Sequence, residues 1–228
     1  PFVVLADADV ELAATVAARS RLSNSGQACA CGKRFIVVEP VAAEFEERFA
    51  AALRGRRVGD PTDPSTDVGP LARADLVDVL DRQVRESVAM GARVVVGGGR
   101  RPGPGCFFEP TLLADCTPDM PVLAEETFGP VAAMVTVPDT EAALALANAT
   151  PYGLAATLWT RDLAAGEELA RRIEAGTVVL NAMVTSDPRM PFGGVKASGY
   201  GRENGRFGIR EFVNVQAIVV GGFAPAPR

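Results

Sequence analysis

Phe35-Ile-Val-Val-Glu-Pro-Val-Ala-Ala-Glu-Phe-Glu-Glu-Arg-Phe-Ala-Ala-Ala-Leu53 changes its period within a few residues. Phe35 to Val38 is a continuous apolar run rich in β-branched residues, as in a strand buried on both faces. From Val41 to Leu53 the apolar residues recur every three or four positions, as on one face of a helix. The same alternation extends outward in both directions. Arg93 to Val96, Val131 to Val137, Ala156 to Thr160 and Thr177 to Asn181 read as further short buried strands, each bounded by Gly, Pro or Asp. Val10 to Leu22, Leu71 to Met90, Thr140 to Ala149 and Leu163 to Glu174 carry helical spacing. Strand, helix, strand in repeated order predicts the α/β class: an open, mainly parallel twisted sheet with helices on both faces. Glu211 to Val220 is one more strand-like run, and Gly97 to Gly105 is a surface loop by its Gly and Pro content.

Composition removes whole classes of chemistry. The 228 residues contain no histidine, so a Ser-His-Asp triad, a Cys-His pair and an H-E-x-x-H zinc site are all excluded. Acidic side chains outnumber basic ones, 28 to 23, for a net charge of -5; a nucleic-acid partner is not expected without a basic stripe. The four cysteines, Cys29, Cys31, Cys106 and Cys116, lack the paired C-x2-C spacing of a zinc ribbon, so no metal is expected. The longest apolar runs are strand-length, no basic-then-apolar leader is present, and a membrane location is not expected. A reduced, cytoplasmic protein is the expectation. The chain starts at Pro1 inside an apolar run, which reads as the cut edge of a longer polypeptide.

Three stretches carry candidate chemistry. In Asn24-Ser25-Gly26-Gln27-Ala28-Cys29, a cysteine follows a Gly-Gln pair just past a helical segment, where the chain can turn and present a side chain to a cleft. A thiolate is a nucleophile, but a free thiol with pKa ~8.5 needs a favourable setting to ionise; Cys29 also fits as a small buried hydrophobe. In Glu125-Glu126-Thr127-Phe128-Gly129-Pro130, a carboxylate before a strand can accept from paired hydroxyls and the aromatic can pack on a flat ring. Adjacent acids in a loop are also commonly just solvated. In Pro191-Phe192-Gly193-Gly194-Val195-Lys196-Ala197-Ser198-Gly199-Tyr200-Gly201-Arg202-Glu203, glycines permit positive φ and close backbone approach. The spacing misses the G-x-G-x-x-G dinucleotide fingerprint, and neither a P-loop nor a G-x-S-x-G elbow occurs.

Taken together, in this order and at these separations, the three stretches resemble the aldehyde dehydrogenase superfamily over essentially the whole chain. Val68-Gly-Pro-Leu-Ala-Arg-Ala-Asp75 and Ser186-Asp-Pro-Arg-Met-Pro-Phe192 are similar to its bacterial succinate-semialdehyde group. The resemblance implies NAD(P)-dependent oxidation of an aldehyde to a carboxylic acid through a cysteine thiohemiacetal and thioester. It implies Cys29 as nucleophile, Glu126 on the nicotinamide-side ribose of NAD or NADP, Phe128 packed near that end of the cofactor, and Phe192 as a wall of the substrate tunnel. In semialdehyde relatives the distal carboxylate is held by a Ser six residues before the tunnel Phe and an Arg six before the nucleophile. Ser186 matches the first; the second position is Ser23, with Arg21 nearby.

The resemblance also implies what this chain does not contain. The family's water-activating Glu and oxyanion Asn fall before Pro1, as does the cofactor-binding domain. Residues 1–210 then form the nucleophile-bearing catalytic domain and residues 211–228 a C-terminal oligomerisation strand and tail, in a polypeptide about twice this length. The partners implied are a small aldehyde and further copies of the chain, and the chain alone is expected to be inactive. Residues i and i+2 place their Cα atoms roughly 5 to 7 Å apart, within disulfide reach, and some semialdehyde members use such a pair; Cys31 is therefore a redox-switch candidate against Cys29. Two other readings remain: a non-catalytic assembly module that retains the fold, and a thiol acyl-transferase or esterase.

Overall fold

The computed structural model describes residues 1–222. In chain order it contains β1 (Phe2–Val4), α1 (Val10–Leu22), β2 (Arg34–Val38), α2 (Glu39–Arg54), α3 (Ala74–Ala89), β3 (Arg93–Val96), β4 (Thr111–Ala114), α4 (Pro121–Ala124), β5 (Val131–Val137), α5 (Thr140–Asn148), β6 (Tyr152–Gly153), β7 (Ala155–Trp159), α6 (Leu163–Ala170), β8 (Thr177–Leu180), β9 (Val195–Lys196) and α7 (Gly205–Gly208). Seven strands form one sheet in the order β3-β4-β5-β2-β1-β7-β8, and β6 pairs with β9 in a separate ribbon. Every neighbouring pair in the large sheet is parallel except β3 with β4. The expected α/β architecture is therefore the observed one.

Alternation along each strand sends its residues to two separate cores. On one face Phe2, Phe35 and Trp159 pack with Phe45 and Phe49 of α2 and with Ala13, Ala14, Ala17 and Ala18 of α1. The ring centroids of Phe2 and Phe35 are 5.2 Å apart and those of Phe35 and Phe49 4.8 Å, normal for aromatic pairs. On the other face Val3, Ile36 and Leu158 meet Leu80 and Val84 of α3 and Ala143, Leu144 and Ala147 of α5. Acidic caps start three of the covering helices: Asp9, Asp139 and Asp162 each accept from the N–H three residues on, at 3.0, 2.8 and 3.0 Å. Past the carboxyl end of β1, Asp7 accepts from the Thr160 hydroxyl (2.8 Å) and from the N–H groups of Arg161 (2.9 Å) and Asp162 (3.0 Å), tying that turn to the start of α6.

Several expectations need correction. Arg93–Val96 is a strand but not a buried one; it is the antiparallel edge, where Arg93 pairs with Glu46 and Asp115 and Val94 is exposed. The helix expected from Leu71 starts at Ala74: Arg73 is extended (φ -151°, ψ 156°), and Leu71, whose N–H donates to the Cys106 carbonyl at 2.7 Å, belongs to the loop before it. The helix expected to reach Glu174 ends at Ala170, after which Arg172 and Ile173 donate to carbonyls only three residues back. Within this chain Glu211 to Val220 forms no strand: Ile209–Phe212 is a short 3-10 turn, and the following residues up to 222 run exposed, with no strand partner among the described residues. A strand needs a neighbour to receive its hydrogen bonds, and none lies beside this run among the described residues. The remainder of the expected tail, 223–228, lies outside the described residues. No helix among the described residues is long and apolar enough to cross a membrane.

Candidate active site

Three consecutive residues after α1 adopt left-handed backbone: Asn24 (φ 50°), Ser25 (φ 55°) and Gly26 (φ 76°). For residues with a Cβ this conformation costs roughly 1–2 kcal/mol each, so the surrounding contacts must impose it. The Ser25 hydroxyl donates to the Gly69 carbonyl (3.2 Å) and accepts from the Gly69 N–H (3.0 Å). The Gln27 side-chain oxygen accepts from Ala72 N–H at 2.9 Å. The Gly26 carbonyl accepts twice, from Arg21 Nη2 at 2.6 Å and from Gly129 N–H at 3.1 Å. A Cβ on Gly26 would lie 2.1 Å from the Gly129 carbonyl oxygen, so only glycine allows this approach. The loop is thus clamped to two distant segments, and it leaves the Cys29 side chain exposed.

Arg21 is fully buried, and its Nε and Nη1 have no hydrogen-bond partner among the described residues. Burial pushes its pKa down to about 10, against the opposing pull of Cys31 and Glu126. Its guanidinium holds the underside of the loop through Gly26 and is closed off from solvent. Cys31 is buried, donating its thiol to the Ser23 carbonyl (3.4 Å). All four cysteines are free.

Cys29, Cys31 and Glu126 line one cleft of about 290 Å3. The cleft opens at the amino ends of β1, β2 and β7, opposite to the usual placement of ligands beyond the carboxyl ends of an open α/β sheet. The reason lies in connectivity: α1 runs back along the sheet, so the loop leading into β2 emerges at the strands' beginnings, as does Glu125–Pro130 leading into β5. The two adjacent acids separate in role. Glu125 is held by Arg82 (2.6 Å) and Gln83 (2.9 Å) of α3. Glu126 pairs instead with Lys33, whose ammonium also sits 4.7 Å from the centroid of the Phe128 ring. Lys33 carries no motif and escaped the sequence reading; its signal was the first of two adjacent cations at the start of the strand that the cysteine loop enters.

Phe128, Phe192, Ser186 and Ser23 are not among the residues lining this cleft. Phe192 is half-buried and exchanges backbone hydrogen bonds with Glu203 (2.8 and 2.6 Å). The Ser186 hydroxyl, in the same loop cluster, accepts from Asn204 Nδ2 at 3.2 Å. Ser23 is exposed at the end of α1.

Fold and site together define an open-sheet α/β domain that presents an exposed thiol beside a Lys-Glu-Phe cluster. The chain belongs to the aldehyde dehydrogenase family, whose profile matches residues 1–218. It is 48% identical over 218 residues to the succinate semialdehyde dehydrogenase Sad of Escherichia coli (strain K12), covering 96% of this chain and 47% of that protein. It is 44% identical over 221 residues to a succinate-semialdehyde dehydrogenase of Mycobacterium avium, covering 97% and 47%. The fold superposes with a TM-score of 0.92 on a succinic semialdehyde dehydrogenase of Streptococcus pyogenes solved with NADP+, at 37% identity over 96% of this chain and 48% of that one. The chain spans about half the length of the curated relatives it matches.

Proposed function

We propose that this chain is the nucleophile-bearing part of a longer enzyme that oxidises an aldehyde to a carboxylic acid with NAD or NADP, with succinate semialdehyde as the preferred substrate. The observation that carries this reading is the Cys29 loop: a strained, doubly clamped turn that presents an exposed thiol at the cleft Glu126 lines. Residues 1–210 would form that catalytic part, and the exposed apolar run containing Phe212, Val215, Ile218 and Val219 fits a contact with a second copy of the chain. Four free cysteines fit a reducing, cytoplasmic setting.

The residues present fit a nicotinamide dinucleotide. The Glu126 carboxylate is half exposed and uses one oxygen for Lys33, leaving Oε2 to accept from ribose hydroxyls, with the Phe128 ring beside it. When bound, the dinucleotide supplies the acceptor for the hydride that leaves the substrate carbon. Cys29 supplies the thiolate that adds to the aldehyde carbonyl, holds the carbon as an adduct and then as a thioester, and releases the acid when water attacks. The Cys29 N–H is one donor to the oxyanion formed on addition. Carried over from the family, Phe192 would wall the substrate path and Ser186 would contact the distal carboxylate of a semialdehyde, both from the loop cluster outside the Cys29 cleft. Ser23, without a cation at its position, leaves that contact one-sided.

The test uses the full-length gene product. Succinate semialdehyde should be oxidised with NAD+ or NADP+ and Cys29→Ala should abolish turnover; retention of activity by C29A overturns the assignment. Equal kcat/KM for succinate semialdehyde and butanal would remove the substrate preference alone.

A further inference from the structure

Lys33 belongs to no motif, yet it is where the two functional loops meet. It immediately precedes β2, while Glu126 and Phe128 precede β5, and those strands are parallel neighbours in which Arg34 faces Ala133. Its ammonium is shared between the Glu126 carboxylate and the face of Phe128, with its side chain only 16% exposed against 45% for Glu126. The Lys33 carbonyl also accepts from the Ala133 N–H (3.4 Å), so the residue is fixed at its backbone as well. Burial lowers its pKa, and the hydrogen bond and charge of Glu126 oppose that shift.

We infer that Lys33 is a positioning residue for dinucleotide binding, holding the Glu126 carboxylate and the Phe128 ring in one preformed arrangement. The inference rests on the proposed function. A glutamate side chain on an exposed loop would otherwise sample several rotamers, and binding would have to order it. With one carboxylate oxygen held by Lys33, the other is left free on a side chain that lines the cleft, and the same cation lies over the Phe128 ring. The charge also offsets that of Glu126 where an anionic dinucleotide approaches.

The measurement is the dissociation constant of NAD+ and NADP+ for the full-length protein, by calorimetry, with no aldehyde present. Lys33→Met should weaken binding about fivefold, the upper range for a partly exposed ion pair. Lys33→Arg, which keeps the charge, should recover part of the loss, and the rate of Cys29 alkylation should not change. In a Glu126→Gln background the Lys33→Met effect should fall well below fivefold, because the carboxylate is gone and only the Phe128 contact is left. An unchanged dissociation constant in K33M overturns the inference, as does a fivefold loss that persists in the E126Q background. Should K33M not fold, Lys33→Gln carries the same comparison. A wild-type protein that binds neither dinucleotide would instead remove the proposed function, and the inference with it.

Discussion

Gly26→Ala tests whether the cysteine loop is held by its clamp or merely happens to lie there. The new Cβ would meet the Gly129 carbonyl oxygen at 2.1 Å and its carbon at 2.3 Å, both backbone atoms that cannot rotate away. The loops must separate, which breaks the Gly129 N–H and Arg21 Nη2 bonds to the Gly26 carbonyl. Loss of the charged, buried bond should cost about 1.5–3 kcal/mol and the neutral one about 1 kcal/mol. The left-handed backbone adds roughly 1–2 kcal/mol for alanine. A total near 4–6 kcal/mol is a large share of the ~5–15 kcal/mol stability of a domain. Gly91→Ala is the matched control: it too has positive φ (+115°), but nothing lies within 4 Å of its added Cβ. It should cost only the backbone strain, about 1–3 kcal/mol. Urea unfolding followed through the single tryptophan, Trp159, reads both variants. If G26A is no less stable than G91A, the clamp is not what holds the loop.

Asp7→Asn should destabilise the chain by about 1–2 kcal/mol in urea, through weaker bonds to Thr160, Arg161 and Asp162. Burial pushes the Asp7 carboxyl up, but the Thr160 hydroxyl and the N–H groups of Asp162 and Arg161 hold it below its usual value overall. Its contribution is therefore complete above the unfolded carboxylate pKa of ~3.9 and lost as pH falls through the lower folded value. The gap between wild type and D7N should close over that acid range; a gap that is constant with pH contradicts it. Burial pushes the Cys116 thiol up to about 12, while Cys29 is exposed. Iodoacetamide near neutral pH, read by mass spectrometry, should label Cys29 in the native protein and Cys116 only after unfolding. Equal labelling rates would count against the burial of Cys116.

The architecture was legible where sequence period and burial agree. Phe35 to Val38 and Val131 to Val137 are central strands, apolar because both faces are covered, except at the exposed Thr136 near the end of the second. Thr111–Ala114 escaped because Thr-Leu-Leu-Ala lacks a β-branched run, although all four residues are buried. Phe2–Val4 lies in an apolar stretch visible in the sequence, but three residues at a chain end carry no period. At Arg93–Val96 an apolar triplet suggested burial, whereas position at the sheet edge decides exposure and no local pattern encodes it. The Cys29 loop was marked by its glycine and cysteine, and Glu126 by its neighbours. Lys33 was not, because its carboxylate partner Glu126 is far away in sequence, and Arg21 was visible only as a neighbour of Ser23, since its bond to the Gly26 carbonyl leaves no pattern of residue types.

The row of alanines on α1 has a consequence for how variants of this protein would sort. Ala13, Ala14, Ala17 and Ala18 let the helix lie close against Phe2 and Phe35, and the helix ends one residue before the turn that carries the thiol. Thirteen residues make a rigid rod of about 20 Å. Valine or leucine in that row would lift the rod and swing its far end, and a shift near 1 Å at a reacting atom can reduce rate about a hundredfold. A screen that scores activity alone would then map these positions as part of the catalytic centre, though they lie as much as the length of the helix away from it.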